Sequence, residues 1–488
     1  MKSNSLFVPL GELFKTTSGG TPSRSNSSYY NGSIPWVKSG ELKESIIFDT
    51  EEHISDDALK KSSAKLFPKG TLLIALYGAT IGRLAILGVN AATNQAICGI
   101  FPTAYIDLKY TYYYLLYSKP KLIQKGIGGA QPNINQDILR NQLFPLRSFT
   151  EQRAIVAKLE QLFSELDNGI VCLKKAQEQL KVYRQAILKQ AFEGELTKAW
   201  REQQTSLPSA QELLETIKTE REQAAKLQSK KFKLVIPLTQ FELDDLPKMP
   251  DGWLFAKSAE IIDAINNGYT PTSNFLFSGS GEVPFIKVYN LNFDGTLNFK
   301  KNPTFIPKAI HEKKLLRSIV YPADVLINIV GPPLGKVSIA TEEYPEWNIN
   351  QAIVVFRPNK YVSSRYISLY LQNPATVHWL ENTSRATAGQ YNIKVSTCRE
   401  IPFPFCSPQE QSQIVEEIET RLSVCDNMEA TIKESLEKAE ALRQSILKKA
   451  FEGKLLSLEE LQITRNAPDW EPAEKLLERI RAEKRTAR

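Results

Sequence analysis

Arg184 to Gly194 reads RQAILKQAFEG, and Arg443 to Gly453 reads RQSILKKAFEG, 259 residues further on. This recurrence constrains the fold more than any other feature, because whatever the first half builds, the second half must build again. At the same offset Glu151-Gln152 with Ile155-Val156 becomes Glu410-Gln411 with Ile414-Val415, and Phe144-Pro145 becomes Phe403-Pro404. Gln131 and Asn133 pair with Gln390 and Asn392 at 259, Asn94-Gln95-Ala96-Ile97 with Asn350-Gln351-Ala352-Ile353 at 256, and Gly82 with Gly335 at 253. Near the two starts, Thr21-Pro22 and Ile34-Pro35-Trp36-Val37-Lys38 match Thr270-Pro271 and Val283-Pro284-Phe285-Ile286-Lys287 at 249. The second copy has thus gained about ten residues, an amount that surface loops absorb. A period this long is a duplicated domain and not a solenoid, whose repeats run about 20 to 50 residues.

From Thr150 to about Leu196 apolar residues fall at Ile155, Leu159, Leu162, Leu166, Ile170, Leu173, Leu180 and Ile187, with no proline to break the run. Spacings of three, four and seven predict one long helix, ended near Gly194, where a left-handed residue suits glycine. The copy from Ser407-Pro408 to about Leu455 uses Ile414, Ile418, Leu422, Ile432, Leu436 and Ile446, with Pro408 in the first turn. A helix of about 45 residues spans roughly 65 to 70 Å and needs a partner for its apolar stripe. The duplicate is the expected partner, paired antiparallel about a pseudo-twofold axis with the globular parts thrown to opposite ends. Ile155, Leu159, Leu166, Leu173, Ile187, Phe192, Ile414, Ile418, Ile432, Ile446 and Phe451 are the candidates for contacts between the helices or with partner proteins.

The globular parts mix short β-rich runs, such as Thr71 to Tyr77 and Ala352 to Phe356, with helical stretches at Tyr110 to Tyr117 and Ser364 to Leu371. The fold class expected is α+β. The chain divides into a first globular domain (1–149), a first long helix (150–199), a charged helical segment and linker (200–248), a second globular domain (249–407), a second long helix (408–456) and a charged helical tail (457–488). The segment and the tail are related: Leu213-Leu214 and Ile217 match Leu476-Leu477 and Ile480. A net charge of +7 permits a polyanionic partner without demanding one. Five cysteines form no C-x-x-C pair, and with three histidines no zinc-ligand spacing can be drawn. The start lacks the pattern of a signal peptide and no long apolar run occurs, so a cytoplasmic protein is expected.

Between the helices and the β-runs lie loops that recur in both copies. Gly331 to Lys336 lacks the spacing and the Ser or Thr of a phosphate-binding P-loop, as does Gly78 to Arg83. Each reads as a glycine turn presenting Arg83 or Lys336 to a DNA phosphate or to solvent. The loops at Thr21 and Ser23, and at Thr270 and Thr272, precede strands that end in Lys38 and Lys287, a placement suited to a nucleic-acid backbone. Gln131 and Asn133, with Gln390, Tyr391, Asn392 and Lys394, concentrate amides that either read adenine in the major groove or satisfy turn backbones. No paired carboxylates, Ser-His-Asp set, methyltransferase tetrad or nuclease motif presents itself, which argues against catalysis by this chain alone.

A variable globular domain and a long helix ending in R-Q-x-I-L-K-x-A-F-E-G, then both again, resembles the specificity subunit of type I restriction-modification systems. The resemblance runs over essentially the whole chain, carried by Arg184 to Gly194 and Arg443 to Gly453 with the Thr-Pro, Asn-Gln, Gln-x-Asn and Glu-Gln motifs. It implies that each globular part is a target-recognition domain reading one half of a split site in double-stranded DNA. The helices would then set a spacer of about 5 to 8 base pairs between half-sites lying about one helical turn apart. It further implies two methyltransferase (M) subunits, restriction (R) subunits and no membrane partner. Adenosylmethionine, ATP and Mg would be used by those subunits and none bound by this chain. A coiled-coil adaptor with two protein-binding modules is the competing class, separated by its lack of salt-sensitive DNA binding.

Overall fold

The structure, a computed structural model, describes residues 6–126, 133–229, 232, 234–331, 333–383 and 391–486. It divides into two compact units, residues 1–174 with 433–488, and residues 175–432. The division cuts through both long helices, so each unit owns one globular domain, the start of the helix that follows it, and the end of the other helix.

In the first unit, strands at Thr16–Ser18, Ile97–Ile100, Leu72–Ala75 and Leu84–Leu87 lie side by side in that order, each antiparallel to its neighbour. Leu72 to Ala75 are buried without alternation, as expected of a strand covered on both faces. A second sheet runs His53–Ile54, Ile34–Val37, Ala91–Thr93, Leu66–Phe67, and its central pair, Ile34–Val37 with Ala91–Thr93, is parallel. Leu6–Pro9 pairs with Leu143–Leu146, closing the domain immediately before the long helix.

The second unit repeats this framework, without a counterpart to the edge strand Ile46–Ile47 of the first sheet and with an added edge strand, Phe277–Ser278, in the second. Ala264–Asn267, Ile353–Arg357, Val325–Asn328 and Val337–Ile339 take the order of the first sheet. Thr304–Ile306, Val283–Ile286, Trp347–Ile349 and Ile319–Val320 take that of the second, again around a parallel pair. Leu254–Lys257 with Pro402–Phe405 closes the domain. One insertion falls in the loop from Ala340 to Glu346, between strands that the first domain joins through Gly88 to Asn90. The duplication and the α+β class expected from sequence are therefore properties of the fold.

Both long helices are 44 residues, Phe149–Phe192 and Pro408–Phe451, or about 66 Å each at 1.5 Å per residue. Ser148 and Ser407 cap their starts, each hydroxyl accepting from the backbone N–H three residues on, at 3.1 and 3.2 Å. Both ends are closed by glycine with φ +76°, at Gly194 and Gly453. Gln152 and Gln411, both buried, donate to the carbonyls of Arg147 and Cys406 at 2.9 Å and accept from the N–H groups of Asp107 and Ser363. The Glu-Gln motif is thus a clasp holding the helix start to its domain.

Within each unit the two helix halves run antiparallel, as the sequence predicts. Asp167 pairs with Arg443 in the first unit, and its counterpart Asp426 pairs with Arg184 at 2.5 Å in the second. Arg443 also lies 4.8 Å from the Phe163 ring centroid. Ile155, Leu159 and Ile446 are buried in the first unit and Ile187, Ile414, Ile418 and Ile432 in the second, while Leu166 and Leu173 are half-buried.

Phe192 and Phe451, named among the candidates for contacts between the helices or with partner proteins, pack on the globular domains. Phe451 is buried against Tyr110, Tyr114 and Tyr117, with ring centroids 5.3, 5.4 and 5.6 Å away. Phe192 meets Tyr366 and Tyr370 at 5.3 and 5.0 Å. Each therefore plugs the globular domain of its own unit, which belongs to the other sequence copy. Tyr110 and Tyr366 in turn donate their hydroxyls to the carbonyls of Pro145 and Pro404 at 2.8 and 2.9 Å, and burial pushes both phenols up so that they stay donors.

The charged segment and the tail dock in matching ways. Ala210–Leu227 follows a Ser209/Glu212 capping box, and its Arg221 donates to the carbonyls of Ala259 and Glu260 at 3.0 and 2.8 Å. In the first unit Ala473–Thr486 carries Lys484, which donates to the carbonyls of Gly11 and Phe14 at 3.1 and 3.3 Å. In both units a cation closes the exposed carbonyl end of a short helix, where the backbone dipole favours it.

Candidate nucleic-acid interface

The loop motifs common to both copies converge at the carboxyl ends of the parallel strand pair. Asn94 donates its N–H to the Val37 carbonyl at 3.0 Å, and Asn350 to that of Ile286 at 3.1 Å. Gly19 and Gly268 donate to Ile97 and Ile353, both at 3.1 Å. A Cβ on Gly19 would stand 2.1 Å from the Thr93 hydroxyl, and one on Gly268 2.1 Å from the Ile349 carbonyl, so the Thr-Pro loop lies flat on the strand end only because these residues are glycine. Thr21 then donates its hydroxyl to the Gln95 side chain, and Gln351 donates its backbone N–H to the Thr270 hydroxyl at 3.5 Å.

The other two motifs join at the same edge. Leu76 and Ile329 donate to Ala96 and Ala352 at 2.8 and 2.9 Å, and their own carbonyls accept from Ile134 and Ile393 at 2.8 and 2.9 Å. Four segments distant in sequence, the Thr-Pro loop, the Asn-Gln turn, the strand entering the glycine turn and the Gln-x-Asn segment, are thereby sewn into one surface in each domain. The glycine turns hold positive φ at Gly82 (+72°) and Gly335 (+86°), as the sequence leads one to expect.

Among the candidate residues that these segments carry in the first domain, Ser23, Arg83, Gln95 and Asn133 are exposed, with Thr21 and Lys38 half-buried. The Arg83 guanidinium has no partner among the described residues. On the second domain Tyr269, Thr272, Gln351, Asn392 and Lys394 are exposed, and Thr270, Lys287, Lys336 and Tyr391 are half-buried. Tyr391 and Asn392 pair as a strand with Val330 and Gly331, and Lys336 sits 5.8 Å from the Phe293 ring centroid. Gln131 and Gln390 lie outside the described residues. Hydroxyls, amides and cations of this kind are the groups that contact phosphates and base edges.

Sequence reading misses Tyr269, 61% exposed where the first domain has Gly20, and the two glutamines at 95 and 351 as surface groups. Their exposure follows from the turns that hold them, and no local pattern announces it. It also treats Lys38 and Lys287 as equivalent. The Lys38 ammonium is instead bound to Glu51 and Glu52 at 2.8 and 3.1 Å, so its charge is already answered within the domain. Among the described residues no cluster of three or more His, Cys, Asp or Glu could hold a metal ion, and no helix is long and apolar enough to cross a membrane.

Two copies of one α+β domain, each offering a surface of polar and cationic loops, define a protein with two equivalent but differently dressed candidate faces. Comparison with known proteins makes this specific. The family described as type I restriction modification DNA specificity domain matches residues 2–171 and 250–438. The EcoDI type I restriction enzyme specificity subunit of Escherichia coli is 24% identical over 98% of this chain and 94% of its own length. The EcoBI specificity subunit of Escherichia coli is 26% identical over 81% of this chain and 76% of its own. Among solved structures, the HsdS subunit from Thermoanaerobacter tengcongensis superposes with a TM-score of 0.56 at 17% identity, covering 92% of this chain and 97% of that one. A chain from a type I restriction-modification system solved for its complex assembly and conformational transition gives 0.63 at 16% identity, covering 93% and 100%. The chain belongs to the type I restriction-modification DNA specificity family, as a sequence-recognition subunit.

Proposed function

We propose that the two domains read the two halves of a bipartite duplex target, and that the helix pair fixes the number of unread base pairs between them. The chain directs adenine methylation and ATP-dependent restriction carried out by M and R subunits, which bring the adenosylmethionine, ATP and Mg, and it contributes no catalytic group of its own. The observation that carries this reading is the convergence of the same four loop segments on one surface in both domains, with the framework shared and the exposed side chains changed. A shared frame with changed contacts is what two readers of different half-sites require. Backbone N–H groups and cations position each domain on phosphates while the changed residues meet base edges.

The test separates spacer from identity. Removing four residues, about one turn, from the middle of each long helix should change the spacer length and leave both half-site sequences as they were. Altered half-site bases with an unchanged spacer would refute the ruler role. Because linked sites raise each other's effective concentration, loss of residues 1–149 should lower affinity for the whole target by orders of magnitude. Wild-type affinity in that variant would refute the bipartite reading.

A further inference from the structure

The two candidate surfaces share a frame but not a charge. In the first domain Lys38 ends the central strand, and its ammonium is bound to Glu51 at 2.8 Å and Glu52 at 3.1 Å. Glu52 also takes Arg24 at 2.6 Å, and Glu41 accepts the Lys38 backbone N–H at 2.6 Å. The hydrogen bonds from Arg24 and Lys38 hold the carboxyls of Glu52 and Glu51 below the usual range, so both stay ionised at neutral pH.

The second domain keeps the lysine and loses the carboxylates. Strand register equates Pro35 opposite His53 with Pro284 opposite Phe305, which sets Thr304 where Glu52 stands and Pro303 where Glu51 stands. Ser273 occupies the position of Arg24 and Asn290 that of Glu41, the asparagine accepting the Lys287 N–H at 3.0 Å as Glu41 accepts that of Lys38. Two cations against three carboxylates thus give −1 in the first domain, and the lone Lys287 gives +1 at the same five positions in the second. Among the described residues the Lys287 ammonium meets no carboxylate; it lies 5.9 Å from the Tyr289 ring centroid.

We infer that Lys287 is a phosphate-anchoring residue of the second domain, that Lys38 is kept from that role by Glu51 and Glu52, and that the second domain therefore carries the larger share of the salt-dependent binding to DNA. The inference rests on the proposed reading that these surfaces face the duplex. A cation released onto a phosphate displaces a condensed counterion, and each such contact adds about 0.9 to the slope of log affinity against log salt. A lysine already neutralised by two carboxylates displaces none.

The experiment measures binding of the full chain, in complex with its methyltransferase partner, to a fluorescein-labelled duplex carrying a sequence methylated in cells that express the complex, over a series of KCl concentrations. Lys287→Ala should lower the slope by about 0.9, Lys287→Arg should restore it, and Lys38→Ala should change it by less than about a third as much. Glu51→Gln with Glu52→Gln should steepen the slope by up to about 1, and adding Lys38→Ala should remove part of that gain. Equal losses from Lys38→Ala and Lys287→Ala would overturn the inference, as would an unchanged slope in Lys287→Ala. In the last case Asn392→Ala distinguishes the levels. If it weakens binding, the surface faces DNA and only the division of charge is wrong; if it does not, the proposed reading of the surface falls with it.

Discussion

Truncating Phe451 to alanine should loosen the first unit while leaving the second intact. The side chain is 5% exposed and its ring is surrounded by Tyr110, Tyr114 and Tyr117. A phenylalanine buries on the order of 150 to 200 Å², which at about 25 cal/mol per Å² is about 4 to 5 kcal/mol. Alanine keeps part of that, and a partly collapsed cavity adds a penalty, so a loss of about 3 to 5 kcal/mol is expected. Because the tyrosines lie on the helix Leu108–Gln124, the loss should be read there first. Hydrogen exchange followed by mass spectrometry resolves the two units: in Phe451→Ala, amides of Leu108–Gln124 and of the start of the first long helix should lose protection, and those of Ser364–Gln372 should not. Phe192→Ala should give the mirror pattern, through Tyr366 and Tyr370. A protection loss below about 1 kcal/mol at Leu108–Gln124, or one spread evenly over both units, would refute the plug role of these residues.

Glu410 is buried and accepts from Thr197, Arg201 and the Trp253 indole at 2.8, 2.6 and 2.8 Å, so Glu410→Ala should cost the second unit about 3 kcal/mol or more in denaturant unfolding, and a cost under about 1 would contradict this account. The Arg184 and Asp426 pair is partly exposed, so Arg184→Asp should cost about 0.5 kcal/mol and the swap with Asp426→Arg should recover most of it; a double-mutant cycle with no coupling would remove the pair from the list of helix contacts. Burial pushes the thiols of Cys98 and Cys398 up to about 12, whereas Cys172 is exposed on the first helix. Iodoacetamide at pH 8 should therefore modify Cys172 first and those two only on unfolding, and equally fast labelling of either would contradict their placement.

The sequence displays the duplication because the shared residues are those the frame cannot change. The glycines at 19, 82, 268 and 335, the buried Gln152 and Gln411, and the Phe of the repeated undecapeptide hold backbone or core positions in the structure, and its Arg pairs with an aspartate of the other helix in both units. Helical periodicity identifies which face of a helix is apolar but not what covers it. That is why Phe192 and Phe451 read as helix or partner contacts, while in the structure they pack against the tyrosines of the globular domains. A signal for the tyrosine boxes does exist, since Tyr110 and Tyr114 recur as Tyr366 and Tyr370 at four-residue spacing on one helix face. The candidate surface was legible as a set of loops that repeat. That they meet at one edge depends on strand order, which local pattern does not contain. The difference between Lys38 and Lys287 lies further away still, in Glu51 and Glu52, which approach Lys38 only once the neighbouring strand is paired.

The central claim is tested most directly by sequencing methylated adenines in DNA from cells that express this chain with its methyltransferase partner. Two short half-sites separated by a fixed unread spacer are expected, and exchanging residues 249–407 for the corresponding domain of another specificity subunit should replace one half-site and keep the other. No methylation above that of the methyltransferase alone, with the two proteins shown to be folded and associated, would contradict the account and leave a two-module adaptor in its place.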